Sequence, residues 1–305
     1  MMPDAPFEVR FDALLENGRS AFEADRLEES LHLFEQAEEL AGREGDRRSA
    51  DRAFMNVCAV LVSVHRNQGI PVEALQRMRE VLMAGDDPIN SRLAAYNIAR
   101  AYEFQKEFRK GLFYARIALD RSHLLESADW LASSHNQIGN LLLAESHFET
   151  ACREYEVALG LLGPEPSRRK ALIFTNLGYA LVVLGHPTEG LPHLYRSLKM
   201  LRELGARREQ IIPHLDLSFA LLEVSRYRYA LAHGACALAL AEEAGEQDSI
   251  KHALFLLGEA AHQSGDASGA RAHFQRLQTR YFPDASHLPD VLLAVDVRKL
   301  INLKA

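Results

Sequence analysis

The chain has 305 residues, of which 48% are apolar and 25% charged, with a formal net charge of −7; this is the balance of a folded chain rather than a disordered one. The charge is uneven, because residues 1–50 carry 13 acidic and 6 basic side chains while the remainder carries 29 of each. A neutral body with an acidic first segment lacks the clustered Lys and Arg that phosphate backbones require, which argues against nucleic acid as a partner.

In chain order, the first element is NGRSAFEADRLEESLHLFEQAEEL, marked by Gly18, Asp25, Ser30, Phe34 and Ala37. The second is VHRNQGIPVEALQRMREVL, marked by Gly69, Ala74, Met78 and Val81, and its first helix, RAFMNVCAVLVSVHRNQG, is expected to be about one turn longer than the others. NIARAYEFQKEFRKGLFYARIAL, QIGNLLLAESHFETACREYEVAL, NLGYALVVLGHPTEGLPHLYRSL and LLGEAAHQSGDASGARAHFQRL then follow one template, with a further copy around Ser218. A small residue stands at Ala99, Gly139, Gly178, Ser218 and Gly258, so the anchors step by 40, 39, 40 and 40 residues. Three residues later come Tyr102, Leu142, Leu181, Leu221 and Ala261. Turns follow at Lys106, Ser146, Gly185, Ser225 and Gly265, and a second small residue at Gly111, Ala151, Gly190, Ala230 and Ala270. Self-similarity at a fixed period of this length is the mark of a stacked repeat.

Each copy reads as two helices: Gly178, Leu181 and Leu184 share one helical face, as do Gly190, Leu191, Leu194 and Leu198. Pro187 suits the start of the second helix, and Pro192, inside its first two turns, is expected to bend it slightly. The glycines are too widely spaced, and too closely flanked by helices, for a dinucleotide-binding loop. Seven units are expected near 8–42, 51–84, 91–121, 130–162, 170–204, 211–244 and 250–280, forming one array over 1–280. In the tail, 281–305, Pro283 and Pro289 break the pattern, and Leu292, Leu293, Val295 and Leu300 form an amphipathic capping helix of the kind a stacked array needs at its end.

The order small, bulky, turn, small, aromatic, alanine resembles the tetratricopeptide repeat over roughly residues 8–280. The early Trp and the terminal Pro of that repeat are mostly missing, and the period is near 40 rather than 34. That departure resembles the longer-repeat subgroup of kinesin light chains, Leu-Gly-Asn adaptors and Rap- and PlcR-type regulators. The resemblance implies an all-α right-handed superhelix of about fifteen helices, whose first helices line a concave groove. Carried over position by position, the groove would hold Arg66, Asn67, Tyr96, Arg100, Asn136, Asn140, Asn176, Tyr179, Asp216 and Phe219. Asn136, Asn140 and Asn176 either bond the backbone of a bound peptide or bond between neighbouring first helices, because a side-chain amide both donates and accepts. A chaperone-type clamp on a C-terminal carboxylate is excluded, since the third helix offers Ile212 and Asp216 where that clamp has cations.

The implied function is a non-enzymatic interaction module whose partner is a peptide, another protein or a second copy of the chain. The rival is a peptide-gated regulatory sensor acting on a separate output protein; the first unit begins near residue 8, which leaves no room for a preceding output domain. No cofactor or catalytic motif is evident. His193, His233 and His273 recur 40 residues apart, too widely separated on stacked units for one metal ion, and read as a solvated stripe. Cys58, Cys152 and Cys236 form no C-x-x-C pair and read as reduced, buried thiols. No stretch has the length of a signal-peptide core or a membrane span, so a cytoplasmic location is expected.

Overall fold

A computed structural model describes residues 6–64 and 69–295. Among these residues there are fifteen α-helices, one 3-10 turn at Arg208–Gln210, and no strand. The chain divides into two compact units, Met1–Leu141 and Leu142–Ala305.

The first unit contains α1 (Phe7–Glu23), α2 (Leu27–Arg43), α3 (Arg47–Val64), α4 (Val72–Ala84), α5 (Pro88–Phe104), α6 (Phe108–Leu124) and most of α7 (Ala128–Ala144). From α1 to α6 each helix packs on the next, and α3 also packs on α5. One apolar cluster joins Phe11, Leu14 and Leu15 of α1 to Phe34 of α2 and Val57 and Val60 of α3. Another joins Met55 and Cys58 of α3 to Met78 of α4 and Ile98 and Tyr102 of α5.

The second unit contains α8 (Phe148–Leu161), α9 (Arg168–Val183), α10 (Pro187–Glu203), α11 (Ile211–Glu223), α12 (Tyr227–Ala244), α13 (Gln247–Gln263), α14 (Ala267–Tyr281) and α15 (Leu288–Ala294). Here too each helix packs on the next, and the first helices α9, α11 and α13 also touch in turn. The final helix, α15, packs on α14 and buries Leu292 in the cluster formed by Leu254, Leu257, Phe274 and Leu277. Leu300, expected in the same helix, lies outside the described residues.

The repeated small residues bring paired helices into backbone contact. In the first repeat the Ser30 hydroxyl donates to the Gly18 carbonyl at 2.8 Å, and in the sixth Ser218 donates in the same way to Ala230 at 2.9 Å. In the fifth, a β-carbon on Gly190 would lie 2.5 Å from the Gly178 carbonyl oxygen. In the seventh, a β-carbon on Gly258 would collide with the Phe274 ring.

The turns take one form. Lys106, Ser146, Gly185, Ser225 and Gly265 all have positive φ, between 58° and 96°, as does Asp25. The residue after each turn closes the helix by donating its N–H to a carbonyl five residues back. These bonds run from Glu107 to Tyr102 at 2.9 Å, His147 to Leu142 at 2.8 Å, His186 to Leu181 at 2.8 Å, Arg226 to Leu221 at 2.8 Å and Asp266 to Ala261 at 2.9 Å. The acceptors are the residues three after each small anchor, so one template position both packs and terminates the helix. The extra length of the repeat lies in the helices, since α1, α2, α5, α6, α7, α10 and α13 each have 17 residues, about 25 Å. Pro192 lies within α10, which runs on to Glu203.

Gly190→Ala is expected to destabilise the protein by about 2–3 kcal/mol, because a backbone carbonyl cannot step aside as a side chain can. Gly160→Ala, on an exposed helical surface with nothing within 4 Å, is expected to be neutral or stabilising by about 0.5 kcal/mol. Paired urea denaturation curves check both.

Candidate functional site: the face of the first helices

In the first unit, polar side chains on first helices reach across to the preceding first helix. Asn97 Nδ2 donates to the Met55 carbonyl at 2.7 Å, and Gln137 Nε2 donates to the Tyr96 carbonyl at 3.1 Å. Asn90 Nδ2 donates to the Arg48 carbonyl at 2.9 Å, while its Oδ1 accepts from Arg52 Nε at 2.9 Å. Asp87 caps α5 by accepting from the Asn90 N–H at 2.7 Å and forms ion pairs with Arg48 and Arg52. A buried amide that bonds a neighbouring backbone fixes helix register. The sequence reading did not single out Asn90, Asn97 or Gln137. The signal was available at two of them, since Asn97, Gln137, Asn176 and Asp216 all stand two residues before the small anchor.

The sequence-predicted residues occupy different environments. Asn136 and Asn176 are buried and Asn140 is half-buried, with Asn176 at the offset used by Asn97 and Gln137. Tyr96 is half-buried under the Arg92 guanidinium, 4.5 Å from its ring centre. Arg92 itself is buried, stacks 5.3 Å from the Trp130 ring centre and donates to Ser122 Oγ at 3.3 Å. Arg100 is half-buried, donates to Ser63 Oγ at 3.2 Å and lies over Phe104. Arg66 and Asn67 lie outside the described residues.

In the second unit, Tyr179 is 1% exposed and packs against Phe219, with ring centres 6.3 Å apart. Asp216 is buried and Phe219 half-buried. The exposed large apolar residues on α9 and α11 are not among the predicted groove residues. Leu172 is 51% and Ile212 40% exposed, and they stand at one repeat position, six residues before Gly178 and Ser218. By helical spacing that position is turned away from the anchor and hence from the paired second helix.

Two expectations need correction. The histidine stripe is not solvated: His193, His233 and His273 are half-buried. His193 stacks on Phe174, and His233 Nδ1 lies 3.0 Å from His214 Nδ1, so one ring donates and the other accepts. On α10 and α12 the stripe therefore meets side chains of the paired first helices, Phe174 of α9 and His214 of α11. The thiols are not all buried either. Cys58 and Cys152 are, and burial pushes their thiols up to about 12 and about 11, but Cys236 is exposed on α12. Its place two residues after Gly234 falls on the outer side of the helix, while Gly234 packs inward on Leu257.

Burial, then His233 and Arg202, push His214 down to about 4, and burial and Arg202 also lower His233. Among the described residues, no group of three or more His, Cys, Asp and Glu side chains is placed to hold a metal ion, and no helix is long and apolar enough to cross a membrane.

No family profile and no curated protein sequence matches the chain. Solved structures do. The Rap protein complexed with competence and sporulation factor aligns at a TM-score of 0.70 and 15% identity, over 95% of this chain and 80% of that one. The apo form of the quorum sensor NprR from B. thuringiensis aligns at 0.59 and 14%, over 90% and 77%. A tetratricopeptide repeat protein from Parabacteroides merdae aligns at 0.51 and 14%, over 93% and 98%. At these identities the likeness is one of fold: the chain is built as a tetratricopeptide-type helical repeat, as its anchors predicted.

Asn97→Ala is expected to cost about 1–2 kcal/mol, because it removes the buried side-chain bond to the Met55 carbonyl; thermal denaturation reads the loss. The histidine pair makes a second prediction. With folded values below the ordinary 6.5, stability is full above about pH 6.5 and falls toward about pH 4 as the unfolded chain takes up protons, by about 2–3 kcal/mol for His214. Melting temperatures across that range should drop more steeply in the wild type than in His214→Gln.

Proposed function

We propose that this chain is a non-enzymatic interaction module that binds a peptide, or an extended segment of a partner protein, along the solvent side of its first helices. The observation that carries this reading is the pair Leu172 and Ile212, exposed at one repeat position on the touching helices α9 and α11. Exposed aliphatic residues repeated along a layer suit a ligand whose own side chains recur along its length. The half-buried Phe219 adds an aromatic anchor on the same two helices, and the buried Asn176, Tyr179 and Asp216 lie beneath it.

A second reading draws on the fold likeness to a Rap protein complexed with competence and sporulation factor and to the quorum sensor NprR. On that reading the chain is a cytoplasmic sensor that changes shape on binding its ligand and acts on a separate output protein. A change in radius of gyration on ligand addition, followed by small-angle X-ray scattering, separates the sensor from a passive scaffold.

The test begins with affinity capture from the source lysate, and continues with calorimetry on the captured partner. Leu172→Glu/Ile212→Glu is expected to weaken binding about tenfold or more, as loss of two apolar contacts implies. Unchanged affinity in a folded double variant sinks the proposal.

A further inference from the structure

Beside the helix turns of the second unit lies a cluster that the proposed first-helix site does not use. A cleft of about 390 Å³ opens beside the turn between α11 and α12 and reaches the end of α13. Arg226, Tyr227, Arg228, Tyr229 and Gln263 line it, and no carboxylate does. Neither Arg226 nor Arg228 has an ion-pair or hydrogen-bond partner for its guanidinium among the described residues. Elsewhere in the unit Arg168, Arg207, Arg208, Arg271 and Arg276 each pair with a Glu or Asp.

Large aromatic rings extend the surface beyond the cleft. Tyr229 is 58% exposed, and Tyr195 of α10 is 43% exposed. The two are near enough that Tyr229, after burial, raises the Tyr195 phenol. The Tyr195 ring is held edge-on against His233 at 5.7 Å, so it is exposed yet fixed in place. Tyr and Arg are the side chains that protein interfaces concentrate, since each offers a large contact area and strong donors at modest entropic cost.

We propose that the cleft and the adjoining Tyr195–Tyr229 surface form a second docking site, on the second-helix side, for an acidic segment of a partner protein. Two unpaired guanidinium forks without a neighbouring carboxylate match carboxylates in charge and geometry. A polyphosphate fits less well, because a phosphate backbone needs many cations and two arginines line the cleft. This site does not depend on the first-helix reading and stands or falls separately.

The test uses the full chain and a labelled random Glu–Tyr copolymer, followed by fluorescence anisotropy. A Lys–Tyr copolymer, inorganic phosphate and a thymidine oligonucleotide serve as the other arms. Saturable, salt-sensitive binding of the Glu–Tyr copolymer alone is expected. Arg226→Ser/Arg228→Ser should weaken it about tenfold or more, Arg226→Lys/Arg228→Lys by less, and Tyr229→Ala about fivefold. These residues are at the surface, and circular dichroism confirms that the variants fold. Affinity unchanged by the double serine substitution overturns the proposal, as does loss of binding in Leu172→Glu/Ile212→Glu with the arginines intact. Arginine-dependent binding of phosphate or oligonucleotide that displaces the copolymer also overturns it, in favour of a general anion site.

Discussion

Backbone contact between paired helices is the constraint on which the rest of this structure depends. Two helices approach closely enough for Ser30 and Ser218 to bond carbonyls across the gap, and for Gly190 to leave no room for a β-carbon. Such an approach requires small residues on both helices at matched heights, twelve residues apart in sequence. With that contact set, the residue three positions on has its carbonyl at the helix end, where it receives the closing bond of the left-handed turn. Packing, termination and reversal are thus one local arrangement written repeatedly, which is why the two small anchors of a copy keep their twelve-residue spacing.

Close packing has a polar consequence. First helices that touch one another and a second helix have most of their circumference buried, and polar groups there must find partners. Asn97 and Gln137 bond the backbone of the preceding first helix, and His214 and His233 bond each other. Asp87 caps its own helix while pairing with two arginines. These contacts add register to a core that is otherwise apolar and tolerant of sliding. They also tie stability to pH, because burial of His214 and partial burial of His233 oppose their protonation.

What the repeats leave uncovered in the second unit includes an aliphatic pair at Leu172 and Ile212 and an arginine- and tyrosine-lined cleft beside the turn between α11 and α12. The two differ in chemistry, as the two proposed sites do. The fold likeness to Rap and NprR proteins concerns the scaffold, and the surfaces on that scaffold belong to this chain.

Helical repeat, turn positions and anchor residues were legible in the sequence because each is a local matter: helical spacing, a residue that tolerates positive φ and a residue small enough for contact all lie within one forty-residue copy. Even non-glycine turn residues, Lys106, Ser146 and Ser225, could be placed by their equivalence to Gly185. The environment of a given side chain was a different question. Nothing local distinguishes Asn97, which bonds Met55 from 42 residues away, from an Asn open to a ligand, or an exposed Leu172 from a buried Leu177. The histidines looked solvated because their partners stand on another helix. Sequence determined the repeating unit, since its rules act between near neighbours; tertiary structure decided which copies of each position are covered, since burial depends on what the adjacent helix brings to the same space.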